Sequence, residues 1–410
     1  MLPFQREISD RAQKGSDSVP PFAIRIRAGA LAPPGKRAGV VILVAMASLG
    51  LGSAASAAAW KRARVEAEVA PAVAAVTSLP ERAEPAPVEI APSAVVAPSR
   101  AEDDPEPRTL DDQLDRLMGK LRAELWLTDA QMAQVEALFA ASPVMSQGNP
   151  VISKHPISRA ECQQIRADAG LPRSHFEPRC GAPNMVPVFD PGAGQSEKDA
   201  KVCVDQFEFP GIPCEYPVVH VRANEAALLC AAVGKRLCDA HEWEGACAGA
   251  VRSPDVDYEW GKDRMQGEWW HNHDREKVWS YGPKKNHALC ATGSSRTEDC
   301  PGGGWNKCGS NTYPTGAFPE CKSPFGAYDF HGNAAEHMNL PSRPEELGMA
   351  SGGGFTEMKG SWFVFSTIQA HEDDCRWRAP AWHESRVMND NSHRNYHLGL
   401  RCCKDVEASE

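Results

Sequence analysis

Histidines and carboxylates crowd one stretch of this chain: His371-Glu372-Asp373-Asp374, then His383, His393 and His397. Imidazole with a carboxylate and vacant coordination positions is the ligand set of a non-haem iron centre, so metal-dependent oxidation is one chemistry on offer. Spacing limits it. In an extended segment four residues separate side chains by about 13 Å, so His393 and His397 cannot share an ion if the chain around Tyr396 is a strand. His271-Asn272-His273 offers a second, weaker chelate, for which a solvated loop is the plainer reading. Arg376, Trp377, Arg378 and Trp382, with His371 and His383, have the composition of a polar pocket lining; guanidinium stacked on indole is an equally good use of them. Cysteine is the remaining reactive type. All 14 cysteines lie at or after Cys162, at irregular spacings with no paired Cys-x-x-Cys framework. Disulfides in an oxidising compartment account for them better than zinc does.

The elements that carry these residues out of the cytoplasm lie at the N-terminus. Residues 1–64 hold ten Lys/Arg against three Asp/Glu, and the rest of the chain 34 against 51. An acidic body repels phosphate, which excludes nucleic acid as a partner. A basic arm, residues 1–38, precedes an uncharged run of 21 residues at 39–59. That run is long enough to span a bilayer. Its apolar centre, Val40–Leu51, is nearer signal-peptide length, with Ala55-Ser56-Ala57 and Ala57-Ala58-Ala59 as cleavage sites. Anchor or signal, it predicts an extracytoplasmic body, in the periplasm or at the cell surface, and membrane attachment if uncleaved. Residues 60–108 read as a disordered linker, with eight prolines and eleven alanines after residue 64. Proline fixes φ and removes donors, so the linker should be an extended spacer.

A helical pair is expected over 109–142. Leu114, Leu117, Leu121 and Leu125 share one face. Thr128 and Gln131 form a capping box for the second helix, Leu127 can staple to Met132, and Met132, Val135, Leu138 and Phe139 make its stripe. The stripes could dimerise, but packing on the next domain is the commoner use. Over 143–404 helical periodicity is scarce. One helix runs from about Asn224 to Val233 and stops at Gly234. Another is capped by Asp239 with Glu242 and closes near Gly249. The remainder reads as short strands and long loops, which need fixings such as disulfides or ions. Residues 405–410 read as a disordered tail.

Four blocks in order then carry a resemblance: Tyr216-Pro217-Val218 through Cys247, Ser323 through Glu336, Lys359-Gly360-Ser361-Trp362, and His397 through Cys402. Over roughly 185–404 the chain resembles the formylglycine-generating enzyme, or sulfatase-modifying factor, family. The resemblance implies an α+β domain of C-type-lectin-like fold. It implies disulfides Cys230–Cys402 and Cys247–Cys375, leaving the connectivity of the other ten cysteines open. It also implies a calcium site, with carboxylate oxygens from Asp329 and Glu336 and backbone carbonyls from Gly332 and Ala334. Calcium accepts such a mixed oxygen set. A tight Gly-Asn turn without an ion is the alternative.

The catalytic part of the resemblance breaks down. Family members that oxidise cysteine hold copper(I) between two thiolates, a soft ion in a soft site. The first cysteine follows the serine of Gly-Ser-Trp/Tyr by three residues, which here is Val364; five further on stands Gln369. Neither can replace a thiolate. The expected function is therefore a diverged, exported member that binds a protein, peptide or small-molecule ligand. The alternative is a non-haem iron oxidoreductase acting on a peptide or sulfur-containing substrate, since iron-dependent sulfoxide synthases and pyoverdine-maturation proteins are relatives. Those synthases place metal histidines on a helical domain, and residues 109–142 contain none. A formylglycine-generating oxidase is the third reading.

Overall fold

The computed structural model describes residues 106–380 and 385–406. The basic arm, the 39–59 segment, the linker up to residue 105, Trp382 and His383 lie outside the described residues. Among the described residues no helix is long and apolar enough to cross a membrane.

In chain order, α1 spans Leu110–Glu124 and α2 Asp129–Ala141; α3 (Arg159–Asp168) follows, then β1 (Phe176–Glu177), β2 (Ala182–Pro183), β3 (Met185–Val188) and β4 (Val202–Asp205). Next come α4 (Ala223–Ala232), β5 (Arg236–Leu237), α5 (Ala240–Ala248), the short α6 (Pro254–Asp257) and α7 (Arg264–Asp274). The last strands are β6 (Ala335–Leu340), β7 (Phe355–Lys359), β8 (Leu398–Leu400) and β9 (Cys402–Asp405). The domain is thus mixed helix and sheet, with long connections.

Local chemistry places the helix ends. Thr128 and Gln131 make a reciprocal capping box for α2, and Asp239 and Glu242 make one for α5. Each box satisfies two backbone donors that a helix start leaves open. Gly234, just past α4, takes φ +74°, a conformation open to glycine without a Cβ penalty. The apolar faces of α1 and α2 do not stay free. Leu117, Leu121, Met132, Val135 and Phe139 enter one cluster with Ala226, Leu229 and Cys230 of α4.

Two sheets frame the domain. One is antiparallel in the order β3-β4-β9-β5; in the other, β6 pairs antiparallel with β7 and parallel with β8. Only Arg401 separates β8 from β9, so the chain crosses from one sheet to the other at that residue. Seven disulfides lock this frame, and all the cysteines are bonded. Cys230–Cys402 and Cys247–Cys375 close spans of 172 and 128 residues. On the chain-entropy model each loop of that size contributes about 5 kcal/mol. The other pairs are Cys162–Cys214, Cys180–Cys203, Cys238–Cys403, Cys290–Cys321 and Cys300–Cys308.

Three expectations need correction. His271-Asn272-His273 is not loop but the end of α7, started by the Asp263 side chain accepting from the Gln266 amide. Ordered strand runs into the expected tail: Asp405 pairs with Val202, and the Val406 amide donates to Lys201 O at 2.9 Å. β9 lies between β4 and β5, so pairing on both sides holds a sequence that looks polar and terminal. At the other end, Glu106 of the expected linker is docked on the domain through Arg159.

Candidate functional site

The 329–336 loop is built on left-handed backbone, with Asp329 at φ +60°, Gly332 at +81° and Asn333 at +52°. A Cβ on Gly332 would stand 2.5 Å from Ala291 O, so only glycine fits. The loop's polar groups turn inward. Asn333 accepts from the Tyr313 amide at 2.8 Å and donates to Glu208, whose other oxygen accepts from the Ala334 amide at 2.7 Å. Glu336 accepts from Arg401 Nε at 3.1 Å and Nη2 at 2.8 Å, and from the Trp243 indole. Arg401, fully buried, also donates to Asp205 O and Tyr328 O. The residue at which the chain changes sheets is therefore bonded to both.

Electrostatics in this hub are uneven. Burial, and then the charges of Asp329 and Glu336, push the Glu208 carboxyl well above the usual range. Burial pushes Asp329 up to about 6, and its Oδ1 is buried without a partner. Asp329 thus has one buried oxygen to give a cation, although the charges of Arg401 and Arg166 act on it as well. Calcium does not fit at Glu336, whose carboxylate is the counter-ion of Arg401, because a divalent cation there would face that guanidinium.

The 360–375 loop is arranged differently. Ser361 Oγ accepts from the Gly332 amide at 2.8 Å and donates to Asp373 Oδ2 at 3.3 Å. Val364 is buried in an apolar cluster with Phe363, Tyr313, Tyr396 and the Cys300–Cys308 disulfide. Its carbonyl accepts from the Thr367 and Ile368 amides, a turn that delivers Gln369 to the exposed side. There Gln369 accepts from Lys285 at 3.5 Å. One of the two expected cysteine positions is core and the other surface.

Sequence reasoning named Asp373, the centre of this loop, only as one member of the His371–Asp374 run. Its carboxylate accepts from His287 Nε2 at 3.0 Å and Trp279 Nε1 at 3.2 Å, and pairs with Lys285 at 3.3 Å. Burial opposes its charge, but the His287 hydrogen bond and the neighbouring positive charges hold it well below the usual carboxylate range. The imidazole sits on the aspartate, not on the serine. The carboxylate that meets Ser361 is held low and is a weak base, so the Ser361-Asp373-His287 chain is a brace rather than a nucleophile. Asp373 hides in an acidic run, and its partners are some 86 and 94 residues away.

Among the described residues the singled-out histidines fall in no common ligand group. His371 stacks on Trp377 with centroids 4.7 Å apart, while His397 stands edge-on to Trp362. His271 and His273, two apart on a helix, face opposite ways. His271 donates to Arg376 O at 2.7 Å, and burial and the Arg378 charge push it down to about 3; His273 is exposed. Among the described residues the one ligand-type group that includes a histidine and no disulfide sulfur is Glu244, Asp257 and His271. Its oxygens are already held by Arg378 and Lys359. Nor do Arg376, Trp377 and Arg378 line one pocket. Arg376 is buried against Ala250 O, and Arg378 stacks on Tyr258 rather than on tryptophan. Arg378 does line a cleft of about 420 Å³, with Tyr258, Trp260, Arg264, Phe355 and Arg386.

A disulfide-locked domain of helices and two small sheets, with a Gly-Asn hub, defines a class. Residues 151–406 match the model of the sulfatase-modifying factor enzyme 1-like domain, and the chain belongs to that family. Among solved structures the chain is similar to CarF, at 14% identity over 61% of this chain and 84% of that one, with a TM-score of 0.24.

Proposed function

We propose that this chain is an exported, non-oxidising member of the family that binds a ligand. The observation that carries the reading is the state of the thiol positions: Val364 is core, Gln369 is surface, and all the cysteines are in disulfides. Copper(I) oxidation of cysteine needs a thiolate on the enzyme, and the nearest sulfur in sequence, Cys375, is bonded to Cys247. Export is supported by the seven disulfides, which persist in oxidising compartments. The ligand is received in the cleft at Trp260 and Arg378, whose volume is that of a small-molecule or short-peptide site. Calcium, where bound, is held through Asp329 and backbone oxygens, with Glu336 kept by Arg401.

The test is direct. Purified protein supplied with copper and oxygen should leave a cysteine-containing sulfatase peptide unchanged by mass spectrometry. The double substitution Val364→Cys with Gln369→Cys should not create turnover, because one thiol would be core and the other surface. Formylglycine from the unaltered protein would return the chain to the oxidases.

A further inference from the structure

A second cavity, of about 320 Å³, lies under the N-terminal entry to the domain, lined by His155, Ile157, Arg159 and Tyr216 among others. Its floor is a buried guanidinium. Arg159, with 6% of its side chain exposed, gives Nε to Glu215 at 2.8 Å and Nη2 to Gln147 at 3.1 Å. Its third face, Nη1, meets Glu106 at 2.5 Å. Glu215 is shared: Arg116 Nη2 also approaches it, at 3.7 Å. One domain carboxylate thus serves two guanidiniums that repel each other, and the second carboxylate on Arg159 comes from the end of the proline-rich spacer. Without Glu106 the Nη1 face of this buried guanidinium would lose the carboxylate it meets, which is costly, so that face calls for an anion. Glu161, another acid at the rim, is engaged by the amide and hydroxyl of Ser158.

The walls suit a peptide. His155 stacks on Tyr216 at 3.6 Å, and the Arg159 guanidinium lies over the same ring at 4.3 Å. Tyr216 hydroxyl reaches Glu106 at 3.3 Å while donating to Ile157 O at 2.9 Å. Pro107, next to Glu106, is part of the lining. Yet Glu106 does not seal the cavity, since 46% of its side chain remains exposed. The occupant is a carboxylate on a proline-flanked segment, Pro105-Glu106-Pro107 in sequence.

We propose that the Arg159 cavity is a binding site for an extended, acidic, proline-flanked peptide, and that the chain's own Glu106 segment is its resident ligand. This goes beyond the cleft and the missing thiolates and depends on neither. A short tether keeps Glu106 at an effective concentration of about millimolar or more, so a competing peptide meets a filled site. Releasing Glu106 removes that competition, and a partner peptide of the same chemistry can then take its place.

The experiment uses the full chain and a labelled, capped peptide copying residues 103–109, read by fluorescence anisotropy. Glu106→Ala protein should bind it at least tenfold more tightly than the unaltered protein. A second peptide, with glutamine for its glutamate, should lose most of that affinity on the same Glu106→Ala protein. Both peptides meet the same protein in this arm, so misfolding cannot mimic a difference between them. Equal binding of the two peptides, or no gain in Glu106→Ala, would overturn the proposal, whether or not formylglycine is made.

Discussion

The 329–336 and 360–375 loops touch through the Gly332 amide and Ser361 Oγ, yet they treat their motif residues in opposite ways. In the first, Glu336, Asn333 and Ala334 each meet a partner from a distant segment: Arg401, Tyr313 and Glu208. In the second, Val364 is core and the turn after it sends Gln369 to the surface, while Asp373 braces the loop through Ser361. The singled-out residues of the first loop bind distant segments through buried polar groups, whereas those of the second divide between core and surface.

Breaking the hub should have the larger effect. Arg401→Met leaves Glu336 buried without its counter-ion, and should cost about 3–5 kcal/mol. Urea unfolding with disulfides intact measures it, and a loss under about 1 kcal/mol would show that the sheet crossing does not depend on this pair.

Asp329 sharpens the comparison in the other direction. Its carboxyl is held up to about 6 in the folded state, from an ordinary 3.8. Below about pH 4 it is protonated folded or unfolded, and its contribution is whole; that contribution is lost as pH rises through about 6. At pH 7 the buried charge, only partly offset by the Gly316 amide and by Arg401 and Arg166, costs up to about 3 kcal/mol, so Asp329→Asn should stabilise the ion-free protein by a fraction of that. If calcium neutralises Asp329, chelator lowers the melting temperature of the unaltered protein and not of Asp329→Asn. An equal chelator response in both would move any ion elsewhere.

The smallest effects lie in the other loop and should differ from each other. Val364→Ala removes buried methyl groups and should cost about 2 kcal/mol. Gln369→Ala should stay within about 0.5 kcal/mol. Similar costs at both positions would mean that the loop does not divide them into core and surface.

Helix starts and stops were legible because they are local. Thr128 with Gln131, Asp239 with Glu242, and Gly234 act within a few residues, and the backbone groups they satisfy belong to the same turn. The α7 start at Asp263 carries the same kind of signal, although the His271-Asn272-His273 run reads in sequence as a solvated loop. The cysteine census pointed to disulfides for a compositional reason, while five of the seven pairings waited for the fold.

By itself, then, the sequence determined the caps, the apolar faces of α1 and α2, the disulfide-rich character and the absence of thiolates at positions 364 and 369. The tertiary structure alone decided that Glu336 belongs to Arg401, that Asp373 gathers His287, Lys285 and Ser361, and that Glu106 completes the shell of Arg159. The physical reason is range. A cap is settled by neighbours along the chain, whereas a buried charge must find its partner wherever folding brings one, here across 65 residues for Arg401 and 53 for Arg159.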